Sequence, residues 1–142
     1  MRIRPIQCFK IDKTFLSLLS MPVPFWLILY CYQSVEISVE PLVFLTMTLL
    51  YPILEETLFR GIIQPTLARR VSGQFLNLSL ANIAASSIFA LTHLVNHDPL
   101  WALATFFPSL VFGFSQDRYG ALLAPITLHC YYNAGYFLIA GL

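Results

Sequence analysis

Residues 51–61 read Tyr-Pro-Ile-Leu-Glu-Glu-Thr-Leu-Phe-Arg-Gly and bring two adjacent carboxylates and an arginine into an apolar part of the chain. Residues 41–54 before the pair carry no charge, and residues 61–68 after it carry none either. An ionised carboxylate in an apolar surround costs several kcal/mol unless it is paired, hydrogen-bonded or hydrated. The stretch therefore predicts a membrane-embedded helix in which the acidic pair belongs to a functional site.

The composition of the whole chain also indicates a membrane protein. Of its 142 residues, 58% are hydrophobic and 11% are charged, whereas soluble domains have about 25% charged residues. The net charge of +1 provides no basic surface, so nucleic acid is not an expected partner. Three cysteines at irregular spacing, Cys8, Cys31 and Cys130, predict neither a disulfide framework nor a thiolate metal site.

Apolar runs separated by short polar segments predict one all-α domain over residues 1–142, a polytopic membrane helical bundle of about five transmembrane helices. Residues 1–40 comprise a basic segment, a first span over 14–32 with kinks at Pro22 and Pro24, and a short acidic loop. Residues 41–142 form the core region. Its predicted helices cover 41–70, 75–96, 100–115 with a kink at Pro108, and 121–142, with a polar turn over 116–120.

The basic residues predict how these spans are oriented. Five spans bring the N-terminus, the turn at residues 69–70 and the turn at Arg118 to one side, together with all eight Lys and Arg. The opposite loops hold Glu36, Glu40 and Asp98. Because basic residues favour the cytoplasmic side, we expect an integral protein of the bacterial inner (plasma) membrane, with the N-terminus inside and the C-terminus outside.

The acidic pair and Arg60 divide into two roles on a helix. Glu56 and Arg60 are four residues apart and share a face, so they can pair. Glu55 is rotated by about 100° from Glu56 and is free to face a cavity. A carboxylate in that position can act as a general base on water. The alternative is an interfacial salt bridge at the end of a helix.

Histidines in the later spans are further candidates. His93 follows Phe89 by one helical turn, and by itself it is more typical of a satisfied core histidine. His97 and Asp98 are expected in a solvated loop.

His129 and Asn133 are again four residues apart on one helical face. Both can donate hydrogen bonds to one point, which suits an oxyanion. The alternatives are hydrogen bonding between helices and a zinc site made of His129, His93 and a glutamate. The acidic pair, His93 and the His129–Asn133 pair together supply a base, an imidazole and anion donors, the set required for hydrolysis by an activated water.

Three motifs carry a resemblance to a known family. They are Glu55-Glu56-x-x-x-Arg60, Phe89-x-x-x-His93 and His129-x-x-x-Asn133. In this order they resemble the motifs of the CPBP family of intramembrane endopeptidases, the CAAX-protease and bacteriocin-processing proteins also called Abi. The resemblance covers residues 41–142.

The resemblance implies an intramembrane endopeptidase that cleaves a membrane-anchored protein or peptide, as in the processing of a C-terminal tail or a leader. Glu55 would activate the water with the help of His93. His129 and Asn133 would form an oxyanion hole, and Glu56 and Arg60 would brace the site. No cofactor is expected, because His129-x-x-x-Asn133 supplies only one strong metal ligand. The alternative is a zinc-dependent protease built from the same residues.

Two non-proteolytic functions stay open from the sequence: an ion-binding or transport protein, and a non-catalytic bacteriocin-immunity protein. The depth of the candidate residues also poses a geometric question. At about 1.5 Å per residue, Glu55 falls near the inner face and His93 near the outer mouth. Bringing them together requires a tilted helix, a re-entrant start to the third span or a thinned membrane.

Overall fold

The computed structural model describes residues 9–32 and 40–140, which fold almost entirely into helices. The predicted features at Arg2, Arg4, Cys8 and Glu36, and the last two residues of the fifth span, lie outside these ranges. The α-helices are, in chain order, α1 (Lys13–Ser20), α2 (Val23–Tyr32), α3 (Pro41–Leu45), α4 (Tyr51–Leu58), α5 (Gln64–Ala68), α6 (Leu80–His93), α7 (Pro99–Ala104), α8 (Phe106–Tyr119) and α9 (Leu123–Ala140).

The first predicted span is present as α1 and α2, with the break at the predicted prolines. The Asp12 side chain accepts a 2.9 Å hydrogen bond from the backbone N–H of Phe15 and begins α1. The two helices together form an apolar stretch, Lys13–Tyr32, of sufficient length to cross a membrane. No residue of α2 is buried, which is the expected result for a helix that faces lipid.

The second predicted span is one long helix, Pro41–Ala68, that contains two π-helical turns. These turns, π1 (Thr46–Leu50) and π2 (Phe59–Ile63), separate α3, α4 and α5. Each π turn is followed by a proline, Pro52 or Pro65, in the first turn of the next α segment. Proline cannot donate the usual i→i−4 bond, and a π turn, with its i→i+5 bonds, accommodates such an interruption.

The third and fourth predicted spans differ from the expectation. Residues at the expected start of the third form a two-stranded antiparallel hairpin, β1 (Gln74–Phe75) and β2 (Leu78–Ser79). Helix α6 begins only at Leu80, because the Ser79 hydroxyl accepts from the backbone N–H of Asn82 at 3.0 Å and caps it. The fourth divides at Thr105 into α7 and α8, since Pro108 in the first turn of α8 has no N–H to donate.

The expected polar turn at 116–120 is also helical over most of its length. Helix α8 continues to Tyr119 and ends on Gly120, whose φ of 61° is the left-handed conformation common after a helix. The predicted all-α bundle is therefore confirmed. Among the described residues, Lys13–Tyr32 and Pro41–Ala68 are the two helices long and apolar enough to cross a membrane, so the count of five spans stays a prediction.

Two features fix the arrangement of the bundle. Side chains from α1, α8 and α9 form one buried apolar cluster, which consists of Phe15, Leu18, Phe112, Ala124 and Leu128. At one end of the bundle, Asp12 accepts hydrogen bonds from Arg118 at 2.8 Å and from the Tyr119 hydroxyl at 2.6 Å. The start of α1 therefore lies against the end of α8, as the threading of the spans predicts.

Candidate active site

The acidic pair has the geometry that its spacing predicts. Glu56 Oε2 lies 3.3 Å from Arg60 Nε, and both side chains are fully buried. Glu55 points in a different direction, and its side chain is 31% exposed. The buried carboxylate is thus the one with a fixed cationic partner, and the accessible carboxylate has no arginine or lysine in ion-pair contact within the described ranges.

Arg60 is held in place by more than its carboxylate. Its Nη2 donates to both the backbone carbonyl and the hydroxyl of Ser109, each at 2.6 Å. The guanidinium carbon lies 5.3 Å from the ring centre of Phe89 and 5.9 Å from those of Phe59 and Phe112. A delocalised cation is stabilised at such distances by aromatic rings. Arg60 therefore joins the long helix to α8, between Glu56 and Ser109.

His129 connects both glutamates. Its Nδ1 is 2.8 Å from Glu56 Oε1, and because a carboxylate can only accept, Nδ1 carries the hydrogen. Its Nε2 faces Glu55 Oε2 at 3.6 Å. The imidazole is 5% exposed and stacks on Phe112 with ring centres 4.5 Å apart and planes 20° apart. Phe112 and Glu56 together fix the plane and the orientation of the ring.

His93 lies at the end of α6, next to the same aromatic cluster. Its Nδ1 donates to the Phe89 carbonyl at 2.9 Å, so in the neutral ring Nε2 carries the lone pair. The Phe89 ring lies 4.5 Å from the His93 ring and 6.0 Å from the His129 ring. His93 and His129 thus lie near the same Phe89 ring, and the helix that carries His93 starts five residues later than the predicted third span.

Asn133 has a hydrogen-bond partner that it does not share with His129. Its Nδ2 donates to the Met47 carbonyl in π1 at 2.9 Å, whereas His129 Nδ1 pairs with Glu56. The shared donor position of the two side chains stays a prediction. The second amide hydrogen of Asn133 has no partner among the hydrogen bonds of the described residues.

Several contacts around the site had no counterpart in the sequence interpretation. His97, expected in a solvated loop, lies with its ring centre 4.2 Å from that of Trp101 and 5.9 Å from that of His93. Trp101 Nε1 donates in turn to the Tyr136 hydroxyl at 3.1 Å. Arg60 contacts Ser109. The available sequence signal for this contact was a pair of small residues, Ser109 and Gly113, four positions apart on one helical face.

The alternative of a zinc site depends on how closely the possible ligands are grouped. Across residues 9–32 and 40–140, no three His, Cys, Asp or Glu side chains are grouped closely enough to hold a metal ion. Zinc in hydrolases has three protein ligands and an open fourth position. The described side chains do not fit that requirement.

Comparisons with known proteins address the family. The family model for type II CAAX prenyl endopeptidases, described as Rce1-like, matches residues 37–135. This match includes the acidic pair, His93, His129 and Asn133, and covers well over half of the chain. Neither the curated proteins nor the solved structures gave a significant match.

The family match confirms the resemblance read from the three motifs. The protein is a protease of the CAAX type, and its family and apolar helices are those of an integral membrane protein. Its substrate class is a membrane-associated protein or peptide. The chain belongs to the Rce1-like family of type II CAAX prenyl endopeptidases.

Proposed function

We propose that the chain cleaves a peptide bond of a membrane-associated substrate through a water molecule activated by Glu55. One observation carries the proposal. An accessible carboxylate, that of Glu55, lies 3.6 Å from the Nε2 atom of a buried imidazole, that of His129. A base thus faces an imidazole nitrogen within an otherwise apolar bundle, and that nitrogen donates a hydrogen bond when the ring carries both protons.

In the proposed reaction, Glu55 accepts a proton from the water as the water oxygen attacks the carbonyl carbon of the scissile bond. The resulting oxyanion accepts a hydrogen bond from His129 Nε2–H. Glu55 then transfers its proton to the leaving nitrogen as the carbon–nitrogen bond breaks. A positioned general base contributes typically about 10²- to 10⁴-fold to a rate, and each oxyanion donor about 10²- to 10³-fold.

Glu56 and Arg60 support this reaction through His129. Because Nδ1 of His129 donates to Glu56, Nε2 is the nitrogen turned toward Glu55. When Nε2 is also protonated, the two carboxylates are balanced by the imidazolium and the guanidinium. The site is then electrically neutral overall, which lowers the cost of burying Glu56, Arg60 and His129.

His93 and Asn133 have assisting roles in the proposal. In its neutral form, His93 presents the lone pair of Nε2, since its Nδ1 donates to the Phe89 carbonyl, and it can then accept a hydrogen bond from the attacking water. Asn133 adds the second oxyanion donor once its amide leaves the Met47 carbonyl. Substrate binding near π1 is the event expected to release it.

The location and the cofactor are further parts of the proposal. The start of α1, with Lys10 and Lys13, and the end of α8, with Arg118, lie at one end of the bundle, which supports a cytoplasmic N-terminus and an external C-terminus in a bacterial inner membrane. The proposed steps use side chains alone, so no cofactor is required.

The proposal is tested with the purified protein in detergent and a farnesylated peptide that ends in a C-a-a-X sequence. Mass spectrometry detects the shortened peptide. Glu55→Gln keeps the size of the side chain but removes the base, so cleavage should fall at least about 10²-fold. Asp98→Asn is the matched control, since Asp98 makes no capping hydrogen bond at α7. Equal cleavage by wild type and Glu55→Gln would refute the mechanism.

Two further arms separate the alternatives. A zinc chelator should leave cleavage unchanged, and loss of activity that zinc restores would favour a metalloprotease instead. Comparing membrane peptides from cells with wild type and with Glu55→Gln extends the test to natural substrates. If no peptide differs in length between the two, proteolysis is the wrong reaction in that cell.

A further inference from the structure

The long helix and α8 face each other along a polar seam with a repeat of four residues. On the long helix, Glu56, Arg60 and Gln64 are 0%, 0% and 1% exposed. On α8, the facing positions have the same spacing and are Ser109, Gly113 and Asp117. Arg60 donates to Ser109 at 2.6 Å, and Gln64 Nε2 donates to the Gly113 carbonyl at 3.0 Å and to Asp117 Oδ1 at 2.8 Å. Beyond the contact between Arg60 and Ser109, the seam therefore continues for one turn of the long helix and two turns of α8.

Asp117 is the point at which a third element joins this seam. Its Oδ2 accepts a 2.7 Å hydrogen bond from the Ser79 hydroxyl. The same hydroxyl accepts from the backbone N–H of Asn82 and caps α6. Each oxygen of one carboxylate thus has a donor on a different element: Gln64 on the long helix and Ser79 at the start of α6.

The helices are closely packed where these contacts occur. A Cβ atom added at Gly113 would overlap the Asn82 side chain and lie 2.9 Å from Gln64 Oε1. Asn82 itself donates to the Leu110 carbonyl at 3.0 Å. Glycine at this position lets the long helix, α6 and α8 approach one another closely.

We propose that Gln64, Asp117 and Ser79 form a positioning clamp that sets the placement of Glu55 relative to His93. Glu55 is carried by the long helix, and His93 by α6. The clamp joins these two elements at the end of the bundle away from the reacting groups. This assignment rests on the proposed roles of Glu55 and His93, and in it the three clamp residues act by positioning alone.

The expected consequence for the reaction follows from the length of the helices. His93 ends α6, whose first residue follows Ser79 directly, so a change of helix angle at Ser79 moves the imidazole by the greatest amount. A displacement of about 1 Å at reacting groups can cost about 10²-fold in rate. Loss of the clamp should therefore lower kcat about 10- to 100-fold with KM changed less than about twofold, because substrate binding is left intact.

The test uses the full chain with its native cysteines replaced by serine. Spin labels at the exposed positions Thr57, in α4, and Leu91, in α6, report the distance between the two elements independently of activity. Asp117→Ala removes both acceptors of the clamp. Thr66→Ala, at an exposed position of α5 next to the clamp, is the control.

Changes at Ser79 separate the clamp from the helix cap. Ser79→Asp keeps a good capping acceptor but removes the hydroxyl donor and sets two carboxylates against each other. Ser79→Thr keeps both the cap and the donor. We expect a broadened or shifted 57–91 distance and reduced kcat in Asp117→Ala and Ser79→Asp, and wild-type values of both in Ser79→Thr.

The result that would overturn the clamp is a wild-type distance distribution in Asp117→Ala and in Gln64→Met, the latter lacking both amide donors. A normal distance in Ser79→Asp together with reduced kcat also contradicts it. If wild type fails to cleave the farnesylated peptide, the proposed function is at fault, and the distance measurements alone then decide the clamp.

Discussion

Replacing Arg60 by methionine tests whether the buried ion pair is a requirement of the fold. Arg60→Met keeps an unbranched side chain of similar length and leaves Glu56, which is fully buried, with His129 as its remaining hydrogen-bond partner among the described residues. The change also removes the two hydrogen bonds to Ser109.

The magnitude follows from the geometry of the pair. Opposite charges 3.3 Å apart attract by about 5 kcal/mol at an effective dielectric constant of about 20. Removing one partner of a buried pair costs about 3–5 kcal/mol, because the other charge remains buried without compensation. The lost hydrogen bonds add about 1 kcal/mol each. We therefore expect Arg60→Met to lower the free energy of unfolding by at least about 3 kcal/mol.

The assay is equilibrium unfolding of the purified protein in detergent, followed by the helical circular dichroism signal. Arg69→Met is the matched control, because Arg69 is exposed and should change stability by less than about 0.5 kcal/mol. The double variant Glu56→Leu with Arg60→Met removes both charges and should recover much of the loss, while it stays inactive. The reasoning is refuted if Arg60→Met is within about 1 kcal/mol of wild type, or if the double variant is less stable than the single one.

Three further perturbations have defined outcomes. Gly113→Ala forces a methyl group against the Asn82 side chain and should destabilise the protein by about 1–3 kcal/mol, measured by the same unfolding assay. The hydrogen bonds from Tyr119 and Arg118 hold the pKa of the Asp12 carboxyl well below its usual range. Its contribution to stability is then present above the unfolded pKa of about 4 and declines as the pH falls through the folded pKa. The gap in melting temperature between wild type and Asp12→Asn should therefore shrink on acidification, and a constant gap contradicts this. Asn133→Ala should lower kcat about 10²-fold, the effect of one oxyanion donor, and an unchanged kcat removes Asn133 from the mechanism.

The sequence was sufficient for the features that depend on neighbours along one helix. The four-residue spacing predicted the contact between Glu56 and Arg60 and the separate orientation of Glu55. Prolines and the residues flanking them predicted the break after α1 and the start of the long helix at Pro41. Such features follow from helical geometry and from the missing N–H of proline.

Contacts between helices were much harder to predict. The hydrogen bond from His129 to Glu56 joins residues far apart in the chain, and the spacing within each helix does not specify which faces meet. The shared-donor interpretation of His129 and Asn133 assumed that side chains on one helical face point to one target. In the structure each side chain has a different partner, Glu56 for His129 and the Met47 carbonyl for Asn133.

The polar residues at 116–120 show why local composition was misleading. Their composition is typical of a turn, but the Asp117 carboxylate accepts hydrogen bonds from two other elements. Such tertiary contacts stabilise the helix to its end at Gly120. The start of the helix that carries His93 was likewise set by a side-chain contact, the cap that Ser79 forms at the opposite end of α6.

The π2 turn gives the long helix one residue that a regular helix would not need. Its backbone closes with the Gln64 N–H bonded to the Phe59 carbonyl, so one residue more than in a regular turn is accommodated there. Deleting a single residue from 59–63 would let this turn become regular while the segments on both sides keep nearly the same orientation, whereas a deletion in α4 would turn everything beyond it by about 100° relative to the rest of the helix. The long helix should therefore tolerate a one-residue deletion within π2 better than one within α4.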